Sequence, residues 1–175
     1  MTIAIEVLGA DQLDEPLMCA ISELKALYWP YPVDSQLAWL KARAADRDLH
    51  VIARNRHAVM GYLRIPRRAA DVDHVPGRIC GVSTVVVHPG WREMGIARRL
   101  LRASIDVFED GAVGLLQCRR NIRHLYEQAD WREFFGTVKC RSASKEENFC
   151  RDEMMMIYTR PYREVATIVL DGDPF

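Results

Sequence analysis

The chain has 175 residues, 49% of them apolar and 27% charged, and its 24 basic residues are balanced by 24 acidic ones. That length suits one domain with a real core, the charge balance argues against a nucleic-acid partner, and no apolar run reaches membrane-spanning length. Residues 1–8 lack the basic start of a secretory signal, and Cys19, Cys80, Cys118, Cys140 and Cys150 fit neither a disulfide framework nor a zinc pattern, so a cytoplasmic, metal-free protein with reduced thiols is expected.

Residues 3–8 alternate in polarity and predict a first strand. Leu17, Ile21, Leu24 and Leu27 recur at helical steps, and Pro16 is tolerated only in a first turn, so a helix should begin near Asp14. The aromatic run Tyr28-Trp29-Pro30-Tyr31-Pro32 cannot continue it, because two prolines interrupt. Asp34 or Ser35 should then cap a short helix with Leu37, Leu40 and Ala44 on one face. Residues 49–53 and 59–65 predict a hairpin, residues 66–77 a polar loop, and residues 79–87 a further strand. Ile96, Leu100, Ala103 and Val107 form the apolar stripe of the next helix. A short buried strand (113–117), a short helix (121–128), a strand (131–138), a polar loop (139–148) and a last clear strand (154–158) complete the pattern. The order β-α-α-β-β-β-α-β-α-β-β is that of an α/β chain with one sheet flanked by helices. No linker or repeat divides residues 1–175.

The most informative segment is 81–108. Its β-branched run from Thr84 to Val87 stops at His88-Pro89-Gly90, and Arg92-Glu93-Met94-Gly95-Ile96-Ala97 opens a helix. A strand feeding a glycine-containing turn and a helix N-terminus aims unpaired N–H groups at one point, where the helix dipole favours phosphate. Gly95 lets a ligand approach the backbone, and the small Ala97 does much the same. The segment has neither the Gly-Lys-Ser/Thr ending of a nucleotide P-loop nor the three glycines of a dinucleotide fingerprint.

The spacing Arg-x-x-Gly-x-Ala after such a strand resembles the pyrophosphate loop of the GCN5-related N-acetyltransferases (GNAT), and the element order resembles their fold over residues 3–158. The resemblance implies a mixed, largely antiparallel sheet, splayed at the motif strand. It also implies acetyl-coenzyme A as cosubstrate, held by Arg92, Glu93, Met94, Gly95, Ile96, Ala97 and Arg98. The backbone of Val85, Val86 and Val87 would pair with the pantetheine, and Asn121 would touch the same chain. Arg98, Arg99 and Arg102 either meet a coenzyme phosphate or form the solvated face of their helix. Tyr126, in the phrase Leu125-Tyr126-Glu127 before Trp131, resembles the family's late-helix tyrosine, which protonates the departing thiolate; a phenol with pKa near ~10 suits that task. Its alternative is a half-buried helix tyrosine. Many family members carry a glutamate on the strand before the motif, but Gly81-Val82-Ser83-Thr84 contains no carboxylate. Ser83 or Thr84 could order a water there, and His88 is a turn residue. No cysteine has a base partner at motif spacing, so direct attack in a ternary complex is expected.

The ending Val169-Leu170-Asp171-Gly172-Asp173-Pro174-Phe175, with Trp91-Arg92 and the Tyr126…Trp131 spacing, resembles the aminoglycoside 2′-N-acetyltransferases. That resemblance implies that residues 159–175 form a substrate-binding tail in which Asp171, Asp173 and Phe175 hold an amino sugar; a frayed tail is the alternative. Basic residues mixed with acids across 139–152 suit an amino sugar bearing its own carboxylate, such as kasugamycin, better than a polycation. Trp29 and Tyr31 either stack on a sugar ring or pack in the core. The expected activity is acetylation of an amino-sugar antibiotic, conferring resistance. A peptide or metabolite N-acetyltransferase and a non-catalytic acyl-coenzyme A sensor are the rivals. A homodimer is common in the family.

Overall fold

The computed structural model describes residues 2–43, 47–56, 58–141, 146–148 and 154–172. In chain order the strands and helices are β1 (Ala4–Gly9), α1 (Glu15–Ala26), α2 (Val33–Arg43), β2 (Leu49–Arg54) and β3 (Val59–Ile65). There follow β4 (Arg67–Val72), β5 (Val75–Val87), α3 (Ile96–Asp106), β6 (Val113–Cys118) and α4 (Arg123–Glu127). The chain continues through β7 (Arg132–Glu133), β8 (Thr137–Arg141), β9 (Glu146–Asn148), β10 (Met154–Thr159) and β11 (Thr167–Asp171). Two compact units result: residues 1–65 with 84–106, and residues 66–83 with 107–175.

In the first unit β1, β2 and β3 form an antiparallel meander, with Leu8 opposite His50 and Ile52 opposite Tyr62. Helix α1 starts where the sequence predicts. The Asp14 carboxylate accepts from the Leu17 N–H at 2.9 Å, and Pro16 occupies the first turn. Leu17, Ile21 and Leu24 then bury one helical face with Leu40, Ile52, Tyr62 and Val86. Helix α2 begins at Val33, before the expected cap at Asp34 or Ser35. The Gln36 N–H bonds the Pro32 carbonyl at 3.1 Å, so Pro32 supplies the cap and Asp34 lies inside the first turn. Ala44 lies outside the described residues. Helix α3 packs across β3 at Gly61, where an added Cβ would stand 2.9 Å from Ile96 Cγ2 and 3.0 Å from Leu100 Cδ1. Only glycine lets the helix come this close, and that approach fixes where its N-terminus lies.

This unit also buries polar groups. Arg64 Nε donates to the Asp48 carboxylate at 2.6 Å, and His50 Nδ1 shares a 2.8 Å hydrogen bond with the Tyr62 hydroxyl, all four residues being fully buried. Desolvation pushes His50 down to about 4, so the ring is neutral at physiological pH.

In the second unit the pairing is mixed. Strand β5 runs antiparallel to β4 and parallel to β6 (Ile79↔Val113 to Val82↔Leu116). Strand β10 pairs antiparallel with β6 and β7, and β11 runs antiparallel to β4 and parallel to β8. Ala70, Val72, Ile79, Val113, Leu115, Phe134, Ile157 and Ile168 make its core.

Three expectations are corrected here. Residues 66–77 are not a loop but mostly β4 and the start of β5, joined through Asp73 (φ 50) and His74 (φ 67). Two successive left-handed residues match the twist of a hairpin, a geometry usually signalled by Asn-Gly, so the sequence pattern concealed it. Residues 131–138 are two strands rather than one. Gly136 separates them where an added Cβ would lie 2.3 Å from the Ala166 carbonyl oxygen. Residues 139–148 are not wholly loop, because β8 continues to Arg141 and β9 pairs with it.

The carboxyl-terminal segment up to Asp171 is not frayed. It is β11, seated between β4 and β8. Asp73 fastens its entry by accepting from the Ala166 and Thr167 N–H groups, both at 2.8 Å. Those two bonds hold the Asp73 carboxyl below the usual carboxylate range.

Candidate active site

Strand β5 carries the motif region and is irregular within it. Thr84 has φ 56, a left-handed conformation that a β-branched residue rarely adopts. The β5–β6 ladder covers Ile79 to Val82, while β5 itself continues to Val87. The irregular residue immediately precedes Val85, Val86 and Val87. Val85 and Val87 are half-buried and Val86 is buried in the first unit's core.

Beyond Val87 the turn is held by short-range bonds. The His88 N–H donates to the Met60 carbonyl at 2.8 Å, and His88 Nδ1 accepts from the Gly90 N–H at 3.1 Å. His88 therefore serves the turn, and a single helical turn, Pro89–Trp91, follows. Glu93 (φ 65) and Gly95 (φ 69) are both left-handed. The first intrahelical bond of α3 runs from the Arg99 N–H to the Gly95 carbonyl at 3.1 Å, which leaves the N–H groups of Ile96, Ala97 and Arg98 without helical partners. An added Cβ at Gly95 would meet nothing closer than Arg98 Nη2 at 3.9 Å. The approach is open, and three donors converge with the positive end of the helix dipole behind them. These residues fit a diphosphate.

The arginines separate into distinct roles. Arg98 folds back over Gly95 and has no carboxylate partner among the described residues. Arg99 donates to the Ile3 carbonyl at 2.8 Å and is committed to the first strand, and Arg102 is exposed. Arg92 meets Tyr28. Its Nη2 donates to the Tyr28 hydroxyl at 2.8 Å, and its guanidinium carbon lies 5.5 Å from the Tyr28 ring centroid. Tyr28 in turn donates to the Val87 carbonyl, so one of the strand carbonyls expected to face pantetheine already has a donor.

Within the aromatic run the sequence points to Trp29 and Tyr31 rather than to Tyr28, whose hydroxyl partners are both distant along the chain. Trp29 is half-buried against the α1–α2 core, and Tyr31 is exposed.

In the second unit Ser83 Oγ is buried and has no hydrogen-bond partner among the described residues. A hydroxyl left in that state is suited to ordering a water or a polar ligand atom. Tyr126 is buried in α4, while Asn121 is exposed on the preceding helical turn, Arg120–Ile122. Asp171 receives a 3.2 Å bond from Arg141 Nη1, while Arg141 Nη2 bonds Asp71 at 2.7 Å. Asp171 therefore shares one guanidinium with Asp71. Asp173 and Phe175 lie outside the described residues. Burial pushes the Cys80 thiol up, away from nucleophilic use. No cluster of three metal-ligating side chains occurs among the described residues, and no described helix is long and apolar enough to cross a membrane.

Comparison with known proteins agrees with this geometry. Residues 18–131 match the Acetyltransferase (GNAT) family. No curated protein sequence matches the chain. Among solved structures, an acyl-CoA N-acyltransferase from Pseudomonas aeruginosa is similar with a TM-score of 0.63 at 14% identity, covering 89% of this chain and 99% of that one. An aminoglycoside 6′-N-acetyltransferase complexed with coenzyme A gives 0.61 at 16% identity, covering 94% and 99%. The ribosomal-protein-S18-alanine N-acetyltransferase from Escherichia coli gives 0.58 at 15% identity, covering 89% and 92%. With a strand, a left-handed turn and a helix N-terminus arranged to receive a diphosphate, and a family match over most of its length, the chain belongs to the GNAT acetyltransferase family.

Proposed function

We propose that this protein transfers the acetyl group of acetyl-coenzyme A to an amine of an amino sugar that also carries an acidic group, a kasugamycin-like antibiotic among the candidates. The observation that supports this acceptor is the Asp71–Arg141–Asp171 cluster at the carboxyl-terminal strand. Two carboxylates threaded on one guanidinium present mixed charge, which suits a zwitterionic sugar better than a polycation. The exposed ring of Tyr31 offers a stacking face for a pyranose.

In this reading the N–H groups of Ile96, Ala97 and Arg98 hold the diphosphate, and the Arg98 guanidinium supplements them. Bound coenzyme supplies the thioester. The sugar amine attacks the acetyl carbonyl directly, forming the C–N bond while the C–S bond breaks. Tyr126 delivers a proton to the departing sulfur. The amine proton leaves through a water held at Ser83 or Thr84, since no carboxylate stands on that stretch.

Free-thiol release from acetyl-coenzyme A, followed against kasugamycin, deoxystreptamine aminoglycosides and peptide amines, tests the acceptor. Turnover with kasugamycin above the polycationic sugars is expected; turnover with peptide amines alone would overturn the amino-sugar reading. Tyr126→Phe is expected to lower kcat about 10²-fold with the acetyl-coenzyme A KM nearly unchanged. Undiminished kcat would remove Tyr126 as the acid.

A further inference from the structure

The Tyr28 oxygen joins the end of α1 to two points of a turn far from it in sequence. It donates its only proton to the carbonyl of Val87, 59 positions away, and accepts from Arg92, 64 positions away, at 2.8 Å. A hydroxyl that has given up its proton to a carbonyl is a stronger acceptor, so the two bonds reinforce each other. Its place is set from below, because the Tyr28 and Trp29 N–H groups bond the Lys25 carbonyl at 2.9 and 3.1 Å as α1 closes.

The turn between Val87 and Ile96 is thereby pinned at both ends. On the helix side, Ile96 and Leu100 pack against Gly61. On the strand side, Tyr28 fixes the separation of the Val87 carbonyl and the Arg92 guanidinium. Between these anchors lie Glu93 and Gly95, whose left-handed backbones create the concave stretch. Arg92 has no carboxylate partner among the described residues, so its charge stays uncompensated beside the turn. It contributes to the field there without having to touch a phosphate.

We propose that Tyr28 is a positioning residue for coenzyme binding: it preorganises the turn, and Arg92 acts through it rather than as an independent phosphate ligand. The proposal rests on the reading of residues 95–98 as the diphosphate cradle. Preorganisation raises affinity because the cost of ordering the turn is met before the ligand arrives.

Titration calorimetry with coenzyme A tests it on the full chain, with thermal unfolding as the check on folding. Tyr28→Phe keeps the ring and removes both bonds at an exposed position, so the unfolding midpoint should hold. Its coenzyme affinity is expected to fall about tenfold. Arg92→Ala is expected to lose a similar factor, and the double variant Tyr28→Phe/Arg92→Ala no more than Arg92→Ala alone. In turnover the loss should appear in the acetyl-coenzyme A KM and not in kcat. Unchanged affinity in Tyr28→Phe, or losses that multiply in the double variant, would overturn the proposal. Failure of the unaltered chain to bind coenzyme A would overturn the cradle itself, and the positioning role with it.

Discussion

The turn between Val87 and Ile96 and the carboxyl-terminal strands differ in how local and distant bonds share the work of holding them. Around the turn most of the bonds that shape the backbone are local: His88 to Gly90, Trp91 to His88, Arg99 to Gly95. Its conformation is chosen by Glu93 and Gly95, and little of it is buried. In the carboxyl-terminal half the decisive bonds span the chain. Asp73 reaches Ala166 and Thr167, 93 and 94 positions away, and β11 is gripped by strands that start 100 and 30 residues before it. A region shaped locally can be specified for ligand binding with little effect on stability. A region shaped by distant pairing carries stability, and its functional atoms are placed as a by-product.

Three substitutions can break or sharpen that contrast. Gly95→Val puts a β-branched residue at φ 69 and should cost about 100-fold in coenzyme A affinity, through displaced N–H donors, while the unfolding midpoint changes little. Equal losses in both calorimetry and unfolding would show that the turn is structural after all. Gly136→Ala should do the reverse. Its Cβ would meet the Ala166 oxygen at 2.3 Å, and the strain should lower the melting midpoint by about 5–10 °C with coenzyme affinity near that of the unaltered chain.

The smallest effect is expected at Asp73→Asn, which keeps an acceptor oxygen but removes its charge. Because folding lowers the Asp73 pKa, the ionised carboxylate stabilises at all pH values above its ordinary range, and that contribution disappears as pH falls through the lowered value. The variant should therefore melt about 2 °C below the unaltered chain at pH 7 and converge with it as acid protonates the carboxylate. A difference that persists in acid would mean that the carboxylate charge is not what fastens β11.

Legibility followed the same division. Helix α1, the β2–β3 hairpin, β6 and the strand–turn–helix of the motif could be read from pattern, because Asp14, Pro16, the 3.6-residue stripe and Gly95 act on their neighbours. The β4–β5 hairpin escaped, since Asp73-His74 adopts a glycine-like geometry without glycine. Strand β11 reads as tail in the sequence because its pairing partners lie far away along the chain. Nothing near residue 28 indicates that Val87 and Arg92 will meet Tyr28.

By itself, then, the sequence determined the family, the α/β class and the strand–turn–helix around Gly95: these depend on local backbone preference and on the spacing of glycine, proline and apolar side chains. Tertiary structure alone decided that Arg92 bonds Tyr28 while Arg99 bonds the Ile3 carbonyl, that Asp171 is shared with Arg141, and that a phenol from α1's end meets the Val87 carbonyl. Each of these is a choice among side chains of equal chemistry, and it is made by which distant segment packs beside them.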